Sequence, residues 1–156
     1  MELYKLLYPM RIVLITVRKG KYENVMAAAW CFPLSFDPPL FGVSISPKRH
    51  TFSLLQGAKS FAINLTAPGM DDAVLVCGRN SGKDTDKFAK SGLTKEEAKK
   101  IDCPLIKESP LSIECELVDT IKAGDHSVFV GKAVNVIKRK EAKGLYQSQG
   151  GEWITV

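Results

Sequence analysis

Six consecutive residues, Ser46-Pro47-Lys48-Arg49-His50-Thr51, put two hydroxyls, two cations and an imidazole into one short loop. Such a set suits an anion. A guanidinium grips phosphate in a forked geometry, and free backbone N–H groups at the start of a following helix add partial positive charge. The same residues also suit a solvated loop whose Thr51 caps a helix, so the local pattern leaves both readings open. Upstream, Asn24-Val25-Met26-Ala27-Ala28-Ala29-Trp30 has the character of a strand but carries three successive alanines. Strands favour branched and aromatic side chains. Methyl-sized ones let something flat approach the backbone, or let a neighbouring element pack tightly.

Other chemistries find less support. Gly78-Arg79-Asn80-Ser81-Gly82-Lys83-Asp84-Thr85 superficially resembles a phosphate loop. It lacks the four residues needed between the glycines, and no Ser or Thr directly follows Lys83, so a nucleoside triphosphate site is excluded. No Gly-x-Gly-x-x-Gly occurs, and a nicotinamide nucleotide would have to be held without a Rossmann unit. His50 and His126 are the only histidines. With no nucleophile elbow and no clustered carboxylates, neither a Ser–His–acid triad nor a catalytic metal centre is expected. His126, in Gly124-Asp125-His126-Ser127, falls at a hairpin entrance, where a plain turn residue and a functional group are both compatible. Cys31, Cys77, Cys103 and Cys115 are scattered, without a Cys-x-x-Cys pair, against a zinc ribbon or a disulfide scaffold. Buried thiols are expected, and Cys31, adjoining the alanine run, is open to a redox role as well.

The elements that must position these groups read mostly as strands. Arg11–Val17 is a β-branched run, followed by a turn with Gly20 at its tip and by the strand Asn24–Trp30. Asp37-Pro38-Pro39 breaks the ladder, because neither proline can donate. Leu40–Ile45 is the next strand. Thr51 is read as the N-cap of a helix over Phe52–Gln56 that stops at Gly57, and Phe61–Leu65 is a further strand. Met70–Cys77 is a short helix or turn, and the polar residues 79–102 are read as one or two surface helices joined near Ser91-Gly92. Pro110–Val118 and Ser127–Ile137 form a hairpin around a loop at 120–125. Trp153–Val156 is a last extended piece after Gly150-Gly151. About six strands with short helices inserted between them fit a mainly β fold, an antiparallel Greek-key barrel.

The chain of 156 residues is read as one domain. No apolar run approaches the roughly 18 residues of a membrane helix. Leu6, Leu7 and Tyr8 are too short a run for a signal peptide, and Pro9 ends it, so a cytoplasmic protein with no membrane association is expected. The formal charge of +5 is modest. It is not laid out in a basic stripe interleaved with aromatics, so nucleic acid is not expected as a partner, whereas an anionic small ligand is compatible.

Taken in order, several short pieces resemble the flavin reductase-like family, the FMN-binding split barrels that include flavoredoxins and archaeal ferric reductases. They are Asn24 to Trp30, Ser35-Phe36-Asp37-Pro38-Pro39-Leu40, Ser44 to Thr51, Phe61-Ala62-Ile63-Asn64-Leu65, Ser81-Gly82 with Asp86-Lys87-Phe88, and Gly124 to Gly131. The resemblance implies a split β-barrel, a homodimer, and FMN as cofactor near the subunit interface. It implies that Ala27, Ala28, Ala29 and Trp30 line the isoalloxazine, that Asn24 fixes the start of that strand or reaches the ring, and that Ser44, Ser46, Arg49, His50 and Thr51 hold the ribityl chain and phosphate. Lys87 and Phe88 would close the site, and His126 would face the flavin or the incoming nicotinamide. The implied activity is an NAD(P)H-dependent flavin or ferric reductase, taking hydride from NADH or NADPH and passing electrons to a ferric complex, free flavin or a redox protein. An FMN electron-transfer protein reduced by a protein partner is the alternative. This chain departs from the family where Ser or Thr often stand at Ala27 to Ala29. Trp153, where the family often has an aromatic, is read as a ring or dimer cover or as ordinary packing.

Overall fold

A computed structural model describes residues 1–156. After a 3-10 turn at Leu3–Leu7, the elements run β1 (Met10–Arg11), β2 (Val13–Lys19), β3 (Tyr22–Ala28), β4 (Cys31–Ser35), β5 (Leu40–Ile45), α1 (His50–Leu55), β6 (Ser60–Leu65), α2 (Asp71–Arg79) and α3 (Lys87–Ser91). They continue with β7 (Lys95–Glu97), β8 (Pro104–Ile106), β9 (Leu111–Ala123), β10 (His126–Lys138), β11 (Leu145–Gln147) and β12 (Trp153–Thr155). Seven strands form one antiparallel sheet in the order β3-β2-β6-β9-β10-β5-β4, while β1-β11-β12 and β7-β8 make two small sheets.

Why the large sheet curls is legible in its core. Met26 and Ala28 from β3, at one edge, share a buried cluster with Val43 and Ile45 from β5, near the other edge, and with Phe61, Cys115 and Phe129 between them. A sheet whose two ends meet in one core is a barrel, split here between β3 and β4. The β-branched run of β2 alternates faces, as side chains on a strand must. Val13, Ile15 and Val17 enter the barrel, whereas Ile12 and Leu14 join a second cluster outside it with Val74, Cys77, Phe88 and Leu145. Both faces of β2 are therefore buried, which is why its sequence is continuously apolar.

Several expectations are revised. The hairpin is longer than its sequence pattern: β9 continues to Ala123 and turns at Gly124, whose φ of 64° suits glycine. Residues 95–97 are a strand, not a helix. The β7-β8 pair is anchored by buried Leu105 and Ile106. Around it, the Arg18 guanidinium donates to Glu97 and Asp102, and the buried Glu114 carboxylate accepts the Lys99 and Lys100 N–H groups at 2.8 Å each. These tertiary partners outweigh the helical propensity of the Lys/Glu run. Helix α1 starts at His50 with Arg49 at its N-cap position, not at Phe52 behind Thr51. Ser46 organises the turn instead, its Oγ accepting from the Lys48 N–H at 3.3 Å and its carbonyl from Arg49 N–H at 3.0 Å.

Candidate functional site

Two cavities meet beside the alanine run. The larger, of about 1070 Å³, is walled by Met26 to Trp30, by Ser44 to Arg49 at the end of β5, and by one side of α2. Tyr4 and Tyr8 of the N-terminal segment, the Asp125-His126 turn, Gln147 and Trp153 complete it. The smaller, of about 250 Å³, is lined among others by Asn24, Arg49, His50, Thr51, Ser81, Gly82 and Lys87. Met26, Ala27, Lys48, Arg49, Gly78 and Arg79 belong to both, so one ligand with two parts can lie across the shared wall.

The smaller cavity is polar and cationic. Lys48, Arg49, Arg79 and Lys87 line it and no carboxylate does. Lys87 is 5% exposed, and its Nζ donates to the Cys77 carbonyl at 2.9 Å in the last turn of α2. It makes no ion pair. Burial lowers this ammonium from 10.5 to about 8; the Arg49 charge adds to the fall and Cys77 opposes it. Thr51 is fully buried; its Oγ1 accepts from Asn24 Nδ2 at 2.8 Å, which leaves the hydroxyl proton free to donate. Gly82 closes over this pair: a methyl group there would run into the Asn24 side chain.

The larger cavity is more open and more apolar. Ala27 and Ala29 face the outer cluster and Ala28 the barrel, yet all three reach the cavity wall. At Ala27 a neighbouring element packs tightly: α2 comes so near that a Cβ on Gly78 would sit 3.4 Å from the Ala27 Cβ. Trp30 packs against His126, with ring centroids 4.9 Å apart and a 34° tilt, and Tyr4 meets Trp30 edge-on at 5.3 Å. The Trp30 carbonyl accepts the Ser44 N–H at 2.9 Å, which extends the β4-β5 ladder by one residue. Asp125 Oδ1 lies 2.8 Å from His126 Nδ1, and the imidazole holds that carboxyl below the usual range. An imidazole held at Nδ1 presents Nε2 as its remaining functional atom.

Of the residues singled out from sequence, Ala27 to Trp30, Ser44, Ser46, Arg49 and His126 line the large cavity, and Asn24, Arg49, His50, Thr51 and Lys87 the small one. Phe88 lines neither. It is buried in the outer cluster, because side chains one residue apart on a helix diverge and Lys87 alone turns to the cavity. Cys31 is half-buried against the barrel core and outside both cavities, and burial pushes its thiol up to about 12, so a reactive thiolate is not formed there. Trp153 packs on the outer cluster and also lines the cavity. Tyr4, Tyr8, Met26, Lys48, Arg79 and Ser81 were not singled out as site residues. The Ser81-Gly82 pair was visible as a matching piece, whereas nothing local marks the two tyrosines, which arrive from the far N-terminus.

The profile of the flavin reductase like domain matches residues 4–153. An uncharacterized protein of Pyrococcus abyssi is 42% identical over 142 residues, which cover 91% of this chain and 81% of that one. Among solved structures, an FMN-binding protein from Thermus thermophilus with bound 1-cyclohex-2-enone superposes with a TM-score of 0.89 at 30% identity, over 99% of this chain and 90% of that one. A flavoredoxin from Methanosarcina acetivorans gives a TM-score of 0.87 at 26% identity, over 96% of this chain and 86% of that one.

Proposed function

The chain belongs to the flavin reductase-like family, and we propose that it is an FMN-dependent oxidoreductase reduced by NADH or NADPH, which hands the electrons to free flavin, a ferric complex or a redox protein. Lys87 carries this reading. Burying an ammonium without a counter-charge is costly, and here the amine lines a carboxylate-free cavity of about 250 Å³ that adjoins a larger, alanine-walled one. A planar ring with a phosphate tail fits that pairing. Arg49, His50, Thr51, Ser81 and Lys87 would hold the phosphate, with Asn24 fixing the Thr51 hydroxyl. Ala27 to Trp30 would line the ring, and Ser44 and Ser46 would hold the chain between ring and phosphate.

FMN when bound supplies the redox chemistry, accepting hydride from a nicotinamide and releasing electrons to an acceptor. The protein holds the two rings together and keeps water out. Trp30, Tyr4 and Tyr8 give that end of the cavity an aromatic wall, and His126, held at Nδ1 by Asp125, lines it beside them. A homodimer is part of the proposal. Val118, Ile121 and Val136 on the β9-β10 ribbon and the fully exposed Phe36 are apolar surface suited to a second copy. Sedimentation of a monomer at micromolar concentration would count against it.

The test is an absorption spectrum of the purified protein before and after anaerobic addition of each pyridine nucleotide. A flavin band that bleaches supports the proposal, and a colourless protein that takes up no added FMN refutes it. The likeness to a flavoredoxin favours a second reading, an FMN electron carrier. That reading predicts a flavin band which neither nucleotide bleaches and a reduced redox protein does.

A further inference from the structure

The large cavity has more room and more positive charge than one flavin uses. Its volume of about 1070 Å³ stands at the upper end of the roughly 300–1,000 Å³ typical for a single drug-sized ligand. The phosphate of that flavin has its own chamber in the smaller cavity. With Arg49 and Lys87 on the phosphate, Lys48 and Arg79 remain on the shared wall, both exposed and neither in an ion pair. The one carboxylate on either cavity, Asp125, is 96% exposed and hydrogen-bonded to His126, and the Lys48 charge acts on it from beyond ion-pair distance. Unneutralised cations around a concave site concentrate anions, and they favour the more highly charged of two otherwise equal ligands.

Resting on the hydride-transfer reading above, we infer that the reducing dinucleotide is the 2′-phosphorylated one, NADPH, and that Lys48 and Arg79 make the choice. NADPH and NADH share the nicotinamide, for which the Trp30–His126 end of the cavity is suited. They differ only in a phosphate monoester that carries about −1.5 to −2 charges at neutral pH. An apolar or acidic wall gains nothing from that group, whereas a wall with two free cations does.

FMN-loaded protein is titrated by calorimetry with adenosine 2′,5′-bisphosphate and with 5′-AMP, and is reduced anaerobically by NADPH and by NADH. At low ionic strength the bisphosphate is expected to bind about tenfold more tightly than 5′-AMP, and NADPH to show a similar advantage in apparent KM. High salt and the double substitution Lys48→Ala with Arg79→Ala should each bring both ratios towards one. The flavin band reports whether the double variant still holds FMN, and Arg79→Gln alone serves if it does not. Equal binding with equal reduction by the two dinucleotides overturns the NADPH assignment and leaves the hydride reading intact. A preference that survives the substitutions overturns the assignment to Lys48 and Arg79. Bound FMN that neither dinucleotide bleaches overturns both.

Discussion

Replacing Lys87 by methionine should make the empty protein more stable while weakening its hold on FMN. Burial lowers this ammonium from 10.5 to about 8, which at about 1.36 kcal/mol per pH unit sets a ceiling near 3 kcal/mol on the cost of keeping it charged in the fold. Water in the adjoining cavity screens part of that cost. Methionine also forfeits the hydrogen bond to the Cys77 carbonyl, about 1 kcal/mol. The net gain for Lys87→Met is therefore about 1–2 kcal/mol at neutral pH. The sign with pH follows from linkage. Between pH 8 and 10.5 the unfolded chain binds the proton and the folded one does not, so the penalty is complete below about pH 8 and fades as pH rises towards 10.5. The cysteine thiols, raised to about 11–12 by burial, pull the other way above pH 9. The difference between wild type and variant removes that common background. Urea melts of FMN-free protein from pH 7 to 10 measure it. A variant that is less stable than wild type at pH 7, or a difference that does not shrink with pH, would refute the idea of an uncompensated buried ammonium.

Gly82→Ala forces a methyl group into Asn24, and overpacking of this kind costs about 1–3 kcal/mol; thermal melts should show the loss, and FMN titration a weaker site, because Asn24 no longer fixes Thr51. A fully stable variant with normal affinity would free Gly82 of that role. His126→Ala should leave FMN loading intact but slow anaerobic reduction by pyridine nucleotide by about tenfold or more, since a positioned ring is lost from the reacting end of the cavity; unchanged bleaching kinetics would exclude His126 from that step.

The parts of the fold written in local pattern were readable in advance. β2 announces itself because both its faces are buried, and the β9-β10 hairpin because its strands flank Gly124. The residue types of Ser46 to Thr51 suit an anion site and a solvated, capped loop alike, and Arg49, His50 and Thr51 line the small cavity. What local pattern cannot carry is a partner distant in sequence. Thr51 looks like an N-cap until Asn24 takes its hydroxyl across 27 residues. Lys95–Glu97 looks helical until Arg18 and β8 claim it, and Lys87, one of many lysines in a charged stretch, differs from its neighbours only in being buried beneath α2. The tyrosines of the N-terminal turn reach the cavity by topology alone.

The shared wall between the two cavities makes the grip on the ring and the grip on the phosphate separable. Riboflavin lacks the phosphate, so its affinity reports the alanine-walled groove, and the ratio of FMN to riboflavin affinity reports the cationic chamber. A charged hydrogen bond contributes about 1.5–3 kcal/mol, so Arg49→Ala should weaken FMN by roughly 10- to 100-fold while leaving riboflavin within about twofold. Fluorescence titration of both ligands against both proteins closes the cycle. Equal weakening of FMN and riboflavin would mean that Arg49 shapes the loop between β5 and α1 without touching the phosphate. Unchanged FMN affinity would remove Arg49 from the site and leave Lys87 as the only cation able to hold the phosphate from within the fold, since Lys48 and Arg79 stand on the exposed rim.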